Sequence, residues 1–309
     1  MNATTSRTLG VVGLGSMGLG AACSAVRQGT PTWGFDPRAE AVATLAQAGG
    51  HGATSLGELA EHSDVVLVLV VNAAQTEAVL FGEGGLAERL KKGSVVVTSA
   101  TVDPALPPVW ESRLAERGLW LIDGPVSGGA AKAAAGQMTV MASGKPEAFE
   151  AAGTLLDAFA GKVYRLGDRA GVGSTVKMVN QHLAGVHIAT ACEALALGIK
   201  AGADPEQLYE VIRNAAGNSW MFENRVPHIL AGDYTPLSAV NIFVKDLGIV
   251  LDAARQLKFP LPLAAAAHQL YLSTAAMGLG AEDDSAVVKY YAALAGLELP
   301  AAQKKESQA

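Results

Sequence analysis

Strand-like segments alternate with helix-like segments along the first 165 residues of this chain, and the strand-like segments then stop. An alternation of this kind is typical of a parallel β-sheet with helices on both faces. The consecutive valines at 65–71 and 95–97 predict central strands, because a strand without polar alternation is buried on both faces. Strands are predicted at 9–13, 32–36, 65–70, 94–98, 119–123, 139–142 and 163–166.

The rest of the chain is rich in alanine and leucine at helical spacing. Helices are predicted at 174–201, 205–216, 219–231, 238–257, 262–278 and 285–294. With 309 residues, the chain is long enough for two domains of roughly 150 residues. We therefore predict an α/β domain over 1–170, an all-α domain over 171–300 that starts with a long connecting helix, and a disordered tail at 301–309.

Composition and charge exclude several functional classes. The formal net charge is −6 and the basic residues form no cluster, so we expect no binding to nucleic acid. No apolar segment precedes the first strand as a signal peptide would, and the run at 65–71 is far shorter than the roughly 20 residues that span a bilayer. We expect a cytoplasmic protein that does not bind membranes. The six histidines have no metal-ligand spacing, so we expect no metal site.

A glycine motif lies directly between the first predicted strand and the first predicted helix. It consists of Gly13, Leu14, Gly15, Ser16, Met17 and Gly18. In this context a G-x-G-x-x-G motif is typical of dinucleotide-binding domains, where the glycines permit a tight turn, close approach of a pyrophosphate and close packing of the helix on the strand. A glycine turn with a purely structural role is the alternative.

Asp36 lies 18 residues after Gly18, at the end of the second predicted strand. An acidic side chain at this point accepts hydrogen bonds from the adenosine ribose and repels a 2′-phosphate, which favours NAD over NADP. Arg38 could offset part of that repulsion. Alternatively, Asp36 is a turn residue before Pro37.

Three further positions follow the next two predicted strands, namely Val71, Asn72 and Thr101. Open α/β sheets bind their ligands beyond the carboxyl ends of the strands. We therefore predict that these residues contact the ribose or the nicotinamide of the cofactor. Plain turns are the alternative.

The sequence Ser127, Gly128, Gly129 follows the strand predicted at 119–123. A hydroxyl followed by two peptide N–H groups can form a concave site for a carboxylate. The proline and the glycines of this loop could equally form only a turn.

Lys177 lies in the first turns of the long connecting helix, with Asn180 and Gln181 three and four residues later and therefore on the same face. Burial among apolar neighbours disfavours the charged ammonium, which suits a group that takes up and releases a proton. Lys177 is therefore the candidate general acid/base. The alternative is a lysine that extends to solvent or forms an ion pair.

Lys245 and Asp246 form a similar polar insertion in an apolar helix. A second cation would suit a carboxylate or a cofactor, whereas an ion pair between these two residues is the alternative. The segment 218–225 concentrates aromatic, amide, hydroxyl and guanidinium groups and is a further candidate for substrate contact.

Four motifs in register resemble the β-hydroxyacid dehydrogenase family, which includes 3-hydroxyisobutyrate dehydrogenase and tartronate semialdehyde reductase. The motifs are GLGSMG at 13–18, DGPVSGG at 123–129, GVGSTVKMVNQ at 171–181 and VKDLGIVLDAA at 244–254. The resemblance covers nearly the whole chain. It implies a Rossmann-type doubly wound sheet followed by an all-α C-terminal domain on a long connecting helix, and assembly into a homodimer or homotetramer.

The same resemblance implies roles for individual residues. Lys177 would be the essential general acid/base, and residues 127–129 would hold the substrate carboxylate. Asn180 and Gln181 would position the substrate. Thr101 and Lys245 would contact the cofactor near its nicotinamide.

The expected function is therefore NAD-dependent oxidation of a small hydroxy acid. In the loop 218–225 and in Asn180 and Gln181 the chain looks most like the branch of the family that acts on L-threonate, which implies oxidation of the 2-hydroxyl to a 2-oxo acid. Reduction of tartronate semialdehyde and oxidation of 3-hydroxyisobutyrate are alternatives within the family. A non-catalytic NAD-binding scaffold is the alternative from another class, because a fold alone does not confer activity.

Overall fold

The computed structural model describes residues 7–301. The chain divides into two compact units that meet between Met178 and Val179. This boundary lies inside one long helix. The tail predicted at 301–309 lies outside the described residues except for Ala301.

The first unit is built from strands and short helices. Its strands are β1 Leu9–Val12, β2 Thr32–Phe35, β3 His51–Gly52, β4 Val65–Val68, β5 Val95–Thr98, β6 Trp120–Asp123, β7 Val126–Ser127, β8 Met138–Ala142 and β9 Ala160–Arg165. Its helices are α1 Ser16–Arg27, α2 Ala39–Gln47, α3 Leu56–His62, α4 Ala73–Phe81, α5 Leu86–Arg89, α6 Leu106–Ala115, α7 Gly129–Ala134 and α8 Pro146–Ala152. The helix α9, Val172–Lys200, begins in this unit and continues into the second.

Strands β1 to β6 form one parallel sheet in the order β3-β2-β1-β4-β5-β6. This is the strand order of the Rossmann fold, so the predicted fold class is confirmed. Successive side chains of β4 point to opposite faces of the sheet, and both faces are covered. Val65 and Leu67 pack into one buried apolar cluster, and Val66 and Val68 pack into another. Residues 65–68 of the valine run are buried on both sides, as the lack of polar alternation predicts.

A second, three-stranded sheet corrects the prediction of a single sheet over the first 165 residues. It has the order β7-β8-β9, with β7 antiparallel to β8 and β9 parallel to it. The strands predicted at 139–142 and 163–166 belong here. Strands β3 and β7 were not predicted, because two residues are too few to establish a period of two.

The regular elements of the second unit, among the residues described, are helices. After α9 it contains α10 Pro205–Ile212, α11 Trp220–Ala231, α12 Val240–Gln256, α13 Pro262–Thr274 and α14 Val287–Ala295. Short turns of π- and 3₁₀-helix lie between α13 and α14. Among the described residues of this unit, the sole β-type contact is an isolated bridge between Ala239 and Asp283.

Helix α9 is, among the described helices, the one long and apolar enough to cross a membrane by length and composition. Such a helix is weak evidence for a membrane span, because core helices pass the same test. In the second unit, α9 buries Ile188, Cys192 and Leu195 almost completely. We therefore interpret α9 as a helix of the protein core.

Candidate active site

The glycine motif forms the turn between β1 and α1. Gly13 has a φ of +91°, and a Cβ added there would lie 2.5 Å from the Leu69 carbonyl oxygen. A Cβ added at Gly18 would lie 1.8 Å from the Gly13 carbonyl oxygen. Both residues must therefore be glycine for the helix to pack on the strand.

Gly15 differs from the other two glycines of the motif. Its φ is −67°, which any residue adopts, and an added Cβ would meet none of the described atoms within 4 Å. The fold therefore does not require a glycine here. The open space lies at the start of α1, where backbone N–H groups attract a phosphate. This geometry fits a dinucleotide whose pyrophosphate approaches the backbone closely.

Asp36 lies against the glycine motif, and its contact with the adenosine ribose stays a prediction. Its Oδ2 accepts a hydrogen bond from the Leu14 backbone N–H at 2.8 Å. The Arg38 guanidinium also binds both carboxylate oxygens, with Nε 2.9 Å from Oδ1 and Nη2 3.0 Å from Oδ2. These bonds from Arg38 hold the pKa of the Asp36 carboxyl below its usual range. The sequence did not indicate this direct pairing.

The positions after β4 and β5 also have structural roles. Asn72 begins α4, and its Oδ1 accepts a hydrogen bond from the Gln75 backbone N–H at 2.9 Å. Val71 is exposed, and its N–H donates to the Gln75 side chain at 2.9 Å. The side chain of Asn72 is thus used as a helix cap. Contacts of Val71, Asn72 and Thr101 with a cofactor stay predictions.

The loop at 127–129 connects β7 to α7. Ser127 pairs with Thr139 of the neighbouring strand, which fixes the backbone just before the loop. Gly128 and Gly129 have φ values of +129° and +71°, respectively. Consecutive residues in such conformations can turn their N–H groups to one side, as an anion-binding loop requires. That a carboxylate binds here stays a prediction.

Asp123 is a residue whose role the sequence analysis missed. It ends β6, is almost fully buried, and its Oδ2 accepts from the backbone N–H groups of Gly171 and Ser174 at 2.9 and 2.8 Å. The Ser174 hydroxyl donates to Oδ1 at 2.6 Å. Burial raises the pKa of the Asp123 carboxyl, and the bonds from Ser174 and Gly171 oppose that rise. The sequence feature that could have indicated this role is an acidic residue at the end of a strand predicted to be buried.

Asp123 thereby fastens the first turn of α9 to the sheet. Ser143 contributes as well, because its Oγ accepts from the Gly173 N–H at 2.9 Å. Lys177 follows Ser174 by three residues on the same helix, and only 8% of its surface is exposed. Lys177 is therefore buried and does not extend to solvent. It lies about one helical turn after Ser174, whose backbone N–H and hydroxyl are hydrogen-bonded to Asp123.

In the second unit, a chain of hydrogen bonds links Asn180 and Gln181 of α9 to α12. Asn180 Nδ2 donates to Gln181 Oε1 at 3.0 Å, and Gln181 Nε2 donates to Asp246 Oδ2 at 2.5 Å. Lys245 Nζ forms an ion pair with Asp246 Oδ1. The ion pair considered as the alternative for Lys245 is thus present.

The segment 218–225 is largely structural. The Ser219 hydroxyl accepts from the Phe222 N–H at 3.0 Å and caps α11. Arg225 is buried, and its guanidinium forms a bidentate ion pair with Asp284. Burial raises the pKa of the Asp284 carboxyl to about 6, although Arg225 opposes the shift. Arg225 is therefore held inside the second unit by this ion pair, and contact of the segment 218–225 with a substrate stays a prediction.

Among residues 7–301, no group of three or more His, Cys, Asp or Glu side chains is arranged so that it could hold a metal ion.

Two family models match the chain along nearly its full length. The NAD binding domain of 6-phosphogluconate dehydrogenase matches residues 8–167. The domain described as NAD-binding of NADP-dependent 3-hydroxyisobutyrate dehydrogenase matches residues 171–291.

Curated relatives and a solved structure agree with these matches. A protein of Cupriavidus necator named L-threonate dehydrogenase is 58% identical over 96% of this chain and 98% of its own length. One of Escherichia coli K12 with the same name is 54% identical over 96% and 97%, respectively. A crystal structure of 3-hydroxyisobutyrate dehydrogenase from Salmonella typhimurium is 52% identical, with a TM-score of 0.87 over 92% of this chain and 99% of that one.

Proposed function

This chain belongs to the 3-hydroxyisobutyrate dehydrogenase family, and from that premise we propose that it oxidises L-threonate at the 2-hydroxyl with NAD. The product is the corresponding 2-oxo acid, 2-dehydro-L-erythronate. The observation that carries the proposal is the 58% identity, over 96% of the chain, to a protein named L-threonate dehydrogenase. The chain is a hydroxyacid dehydrogenase with NAD(P)-binding domains, and the proposal concerns its substrate, cofactor and residue roles.

The proposed reaction removes a hydride and a proton from one carbinol group. A nicotinamide cofactor, when bound, would supply the acceptor for the hydride of C2. The Nζ of Lys177 accepts the proton of the 2-hydroxyl as the C2–O bond becomes a carbonyl. Lys177 suits this role because its side chain is buried, so that bulk water does not compete with the substrate for its Nζ.

Ser127, Gly128 and Gly129 are proposed to hold the substrate carboxylate. The positive φ values of the two glycines allow adjacent N–H groups to converge on an anion. Asn180 and Gln181 follow Lys177 on α9 within about one turn, which supports a role for them in positioning the substrate. A fixed carboxylate keeps the reacting carbon at one place, which lowers the entropic cost of hydride transfer.

NAD is the proposed cofactor, although one matching family model names an NADP-dependent enzyme. The glycine motif at 13–18 would hold the pyrophosphate, and Asp36 would bind the adenosine ribose. The buried carboxylate of Asp36, next to Leu14, would repel a 2′-phosphate, and the paired Arg38 guanidinium would offset part of that repulsion. The roles of Val71, Asn72, Thr101 and Lys245 in cofactor binding rest on their positions in the sequence and on the resemblance.

A second substrate, 3-hydroxyisobutyrate, has support of its own. The crystal structure that is 52% identical to this chain carries the name 3-hydroxyisobutyrate dehydrogenase. Both substrates are small hydroxy acids, so the same lysine and the same carboxylate site would serve either one.

A homodimer or homotetramer in the cytoplasm is proposed for the assembly and its location. Within the second unit, α9 exposes Val179, Leu183 and Leu197 at 51%, 52% and 69%. These exposed apolar side chains are the support for contact with another copy of the chain, and His187, Thr190 and Glu193 lie between Leu183 and Leu197 on the same exposed face. Light scattering on the purified protein measures the mass of the assembly directly.

The substrate is tested by following NADH formation with a panel of hydroxy acids. L-threonate, glycerate and 3-hydroxyisobutyrate are each offered with saturating NAD. We expect kcat/KM to be highest for L-threonate. Preference for 3-hydroxyisobutyrate would transfer the assignment to that substrate, and no turnover of any acid would contradict the proposed function.

A further inference from the structure

A chain of two hydrogen bonds connects the side chains of Asn180, Gln181 and Asp246. The Asp246 carboxylate, at one end, determines which group donates and which accepts in both bonds. Asp246 has 1% of its surface exposed and Gln181 has 7%, so solvent does not compete for these bonds. A carboxylate has acceptor atoms only. Gln181 must therefore face Asp246 with its Nε2, as the 2.5 Å bond to Oδ2 records.

The orientation of Gln181 determines the orientation of Asn180. With Nε2 turned toward Asp246, the other end of the Gln181 amide is Oε1, which only accepts. Asn180 meets it with Nδ2 at 3.0 Å. The Asn180 amide is therefore held with its nitrogen toward Gln181, and Oδ1 is the end left for a ligand.

We propose that Asp246 is a positioning residue that acts through Gln181 to make Asn180 present an acceptor, Oδ1, to the substrate. The inference rests on the proposed function, in which Asn180 contacts a hydroxy acid. An acceptor binds a hydroxyl, which donates, and rejects a carboxylate, which cannot donate. Asn180 thus recognises a hydroxyl group of the substrate, and the carboxylate must be bound elsewhere.

Lys245 makes it possible to test which groups donate and which accept in this chain of hydrogen bonds. Its ammonium donates only, and it binds Asp246 Oδ1. In the variant Asp246→Asn, Lys245 retains the oxygen of the new amide, so the new NH₂ faces Gln181. Gln181 then turns its Oε1 toward that NH₂ and its Nε2 toward Asn180. Asn180 must offer Oδ1 to Gln181, and a donor faces the substrate.

The double variant Gln181→Glu/Asp246→Asn restores the original orientation of the Asn180 amide. A carboxylate at position 181 accepts both from the new amide at 246 and from Asn180 Nδ2, so Oδ1 again faces the substrate. Both variants lose the carboxylate at 246 that pairs with Lys245. A difference between them therefore does not report the loss of the ion pair. It reports the direction of the Asn180 amide together with the carboxylate that replaces the Gln181 amide, and the amide spectrum below separates these two contributions.

The test compares KM and kcat for L-threonate in the wild type, in Asp246→Asn and in the double variant, with melting temperatures as a check on folding. We expect Asp246→Asn to lower kcat/KM by about tenfold to a hundredfold, mainly through KM, because a buried polar contact is mismatched. The double variant should recover most of this loss. Equal losses in the two variants, or no loss in either, would overturn the inference.

A spectrum of side-chain amides gives a readout that does not depend on turnover. The Asn180 Nδ2–H signal, assigned by its absence in Asn180→Asp, should lie downfield in the wild type and in the double variant and move upfield in Asp246→Asn. An unchanged signal in Asp246→Asn contradicts the inference. If L-threonate is not a substrate, the proposed function fails, and this spectrum still decides the direction of the amide.

Discussion

The Asp123 carboxylate accepts hydrogen bonds from both the backbone N–H and the hydroxyl of Ser174, at 2.8 and 2.6 Å. Asp123 ends the last strand of the parallel sheet, and Ser174 lies in the first turn of α9. Lys177 is three residues further along that helix. The position of the proposed general base is thus set by a contact between the sheet and the start of the helix.

Replacing Asp123 by alanine should weaken the attachment of the first turn of α9 to the parallel sheet. The change leaves the buried N–H groups of Gly171 and Ser174 without their acceptor, which costs on the order of 3 kcal/mol. We expect a lower free energy of unfolding in urea and a lower kcat. Ser174→Ala removes only the hydroxyl bond and should cost about 1 kcal/mol. Equal stability of Asp123→Ala and the wild type would contradict the role given to Asp123.

Two glycines of the same motif should respond differently to alanine. At Gly18 an added Cβ would lie 1.8 Å from the Gly13 carbonyl oxygen, so Gly18→Ala should destabilise the first unit. At Gly15 the added Cβ meets no described atom within 4 Å, so Gly15→Ala should fold normally. It should nevertheless weaken NADH binding by about tenfold or more, because the methyl group occupies space needed by the pyrophosphate.

Fluorescence titration with NADH and thermal melting separate these two effects. Gly15→Ala should keep the melting temperature of the wild type. Unchanged NADH affinity in that variant would place the pyrophosphate away from Gly15.

Asp36 and Arg38 should have opposite effects on cofactor preference: Asp36 should favour NAD, and Arg38 should favour NADP. Asp36→Ser removes the carboxylate that would repel a 2′-phosphate and leaves Arg38 able to bind one. We expect the ratio of NADPH to NADH affinity to rise by about tenfold or more. Arg38→Ala should lower NADPH affinity and retain binding of NADH. Titration of each variant with both cofactors measures the ratio, and a ratio that Asp36→Ser leaves unchanged would refute this assignment.

The parallel sheet could be predicted from the sequence, because valine runs and the glycine motif are local signals. The separate sheet of β7, β8 and β9 could not, since the pairing of Val126 with Val140 depends on the chain folding back. The same limit applied to the site. The glycine motif and Asp36 were predicted together, but the contacts of Asp123 with Gly171, of Gln181 with Asp246 and of Arg225 with Asp284 join residues 48 to 65 positions apart in sequence. Contacts at such separations leave no spacing pattern to read.

Arg225 offers a test of stability in the second unit. Arg225→Met leaves the buried carboxylates of Asp283 and Asp284 without their cation, which should cost about 3–5 kcal/mol of unfolding free energy. Arg255→Met is the matched control, because Arg255 pairs with Asp252 at the exposed surface and such pairs contribute little. Similar urea midpoints for the two variants would show that the buried pair is not required for folding.

The most direct test of the proposed mechanism compares the wild type with Lys177→Ala, with L-threonate and saturating NAD. We predict that kcat falls by a factor of about 10²–10⁴, since proton transfer by a positioned side chain contributes that much. The affinity for NADH should be unchanged, and added primary amine should restore part of the rate. Lys177→Ala with a kcat within a few fold of the wild type would contradict the assignment of Lys177 as the general base.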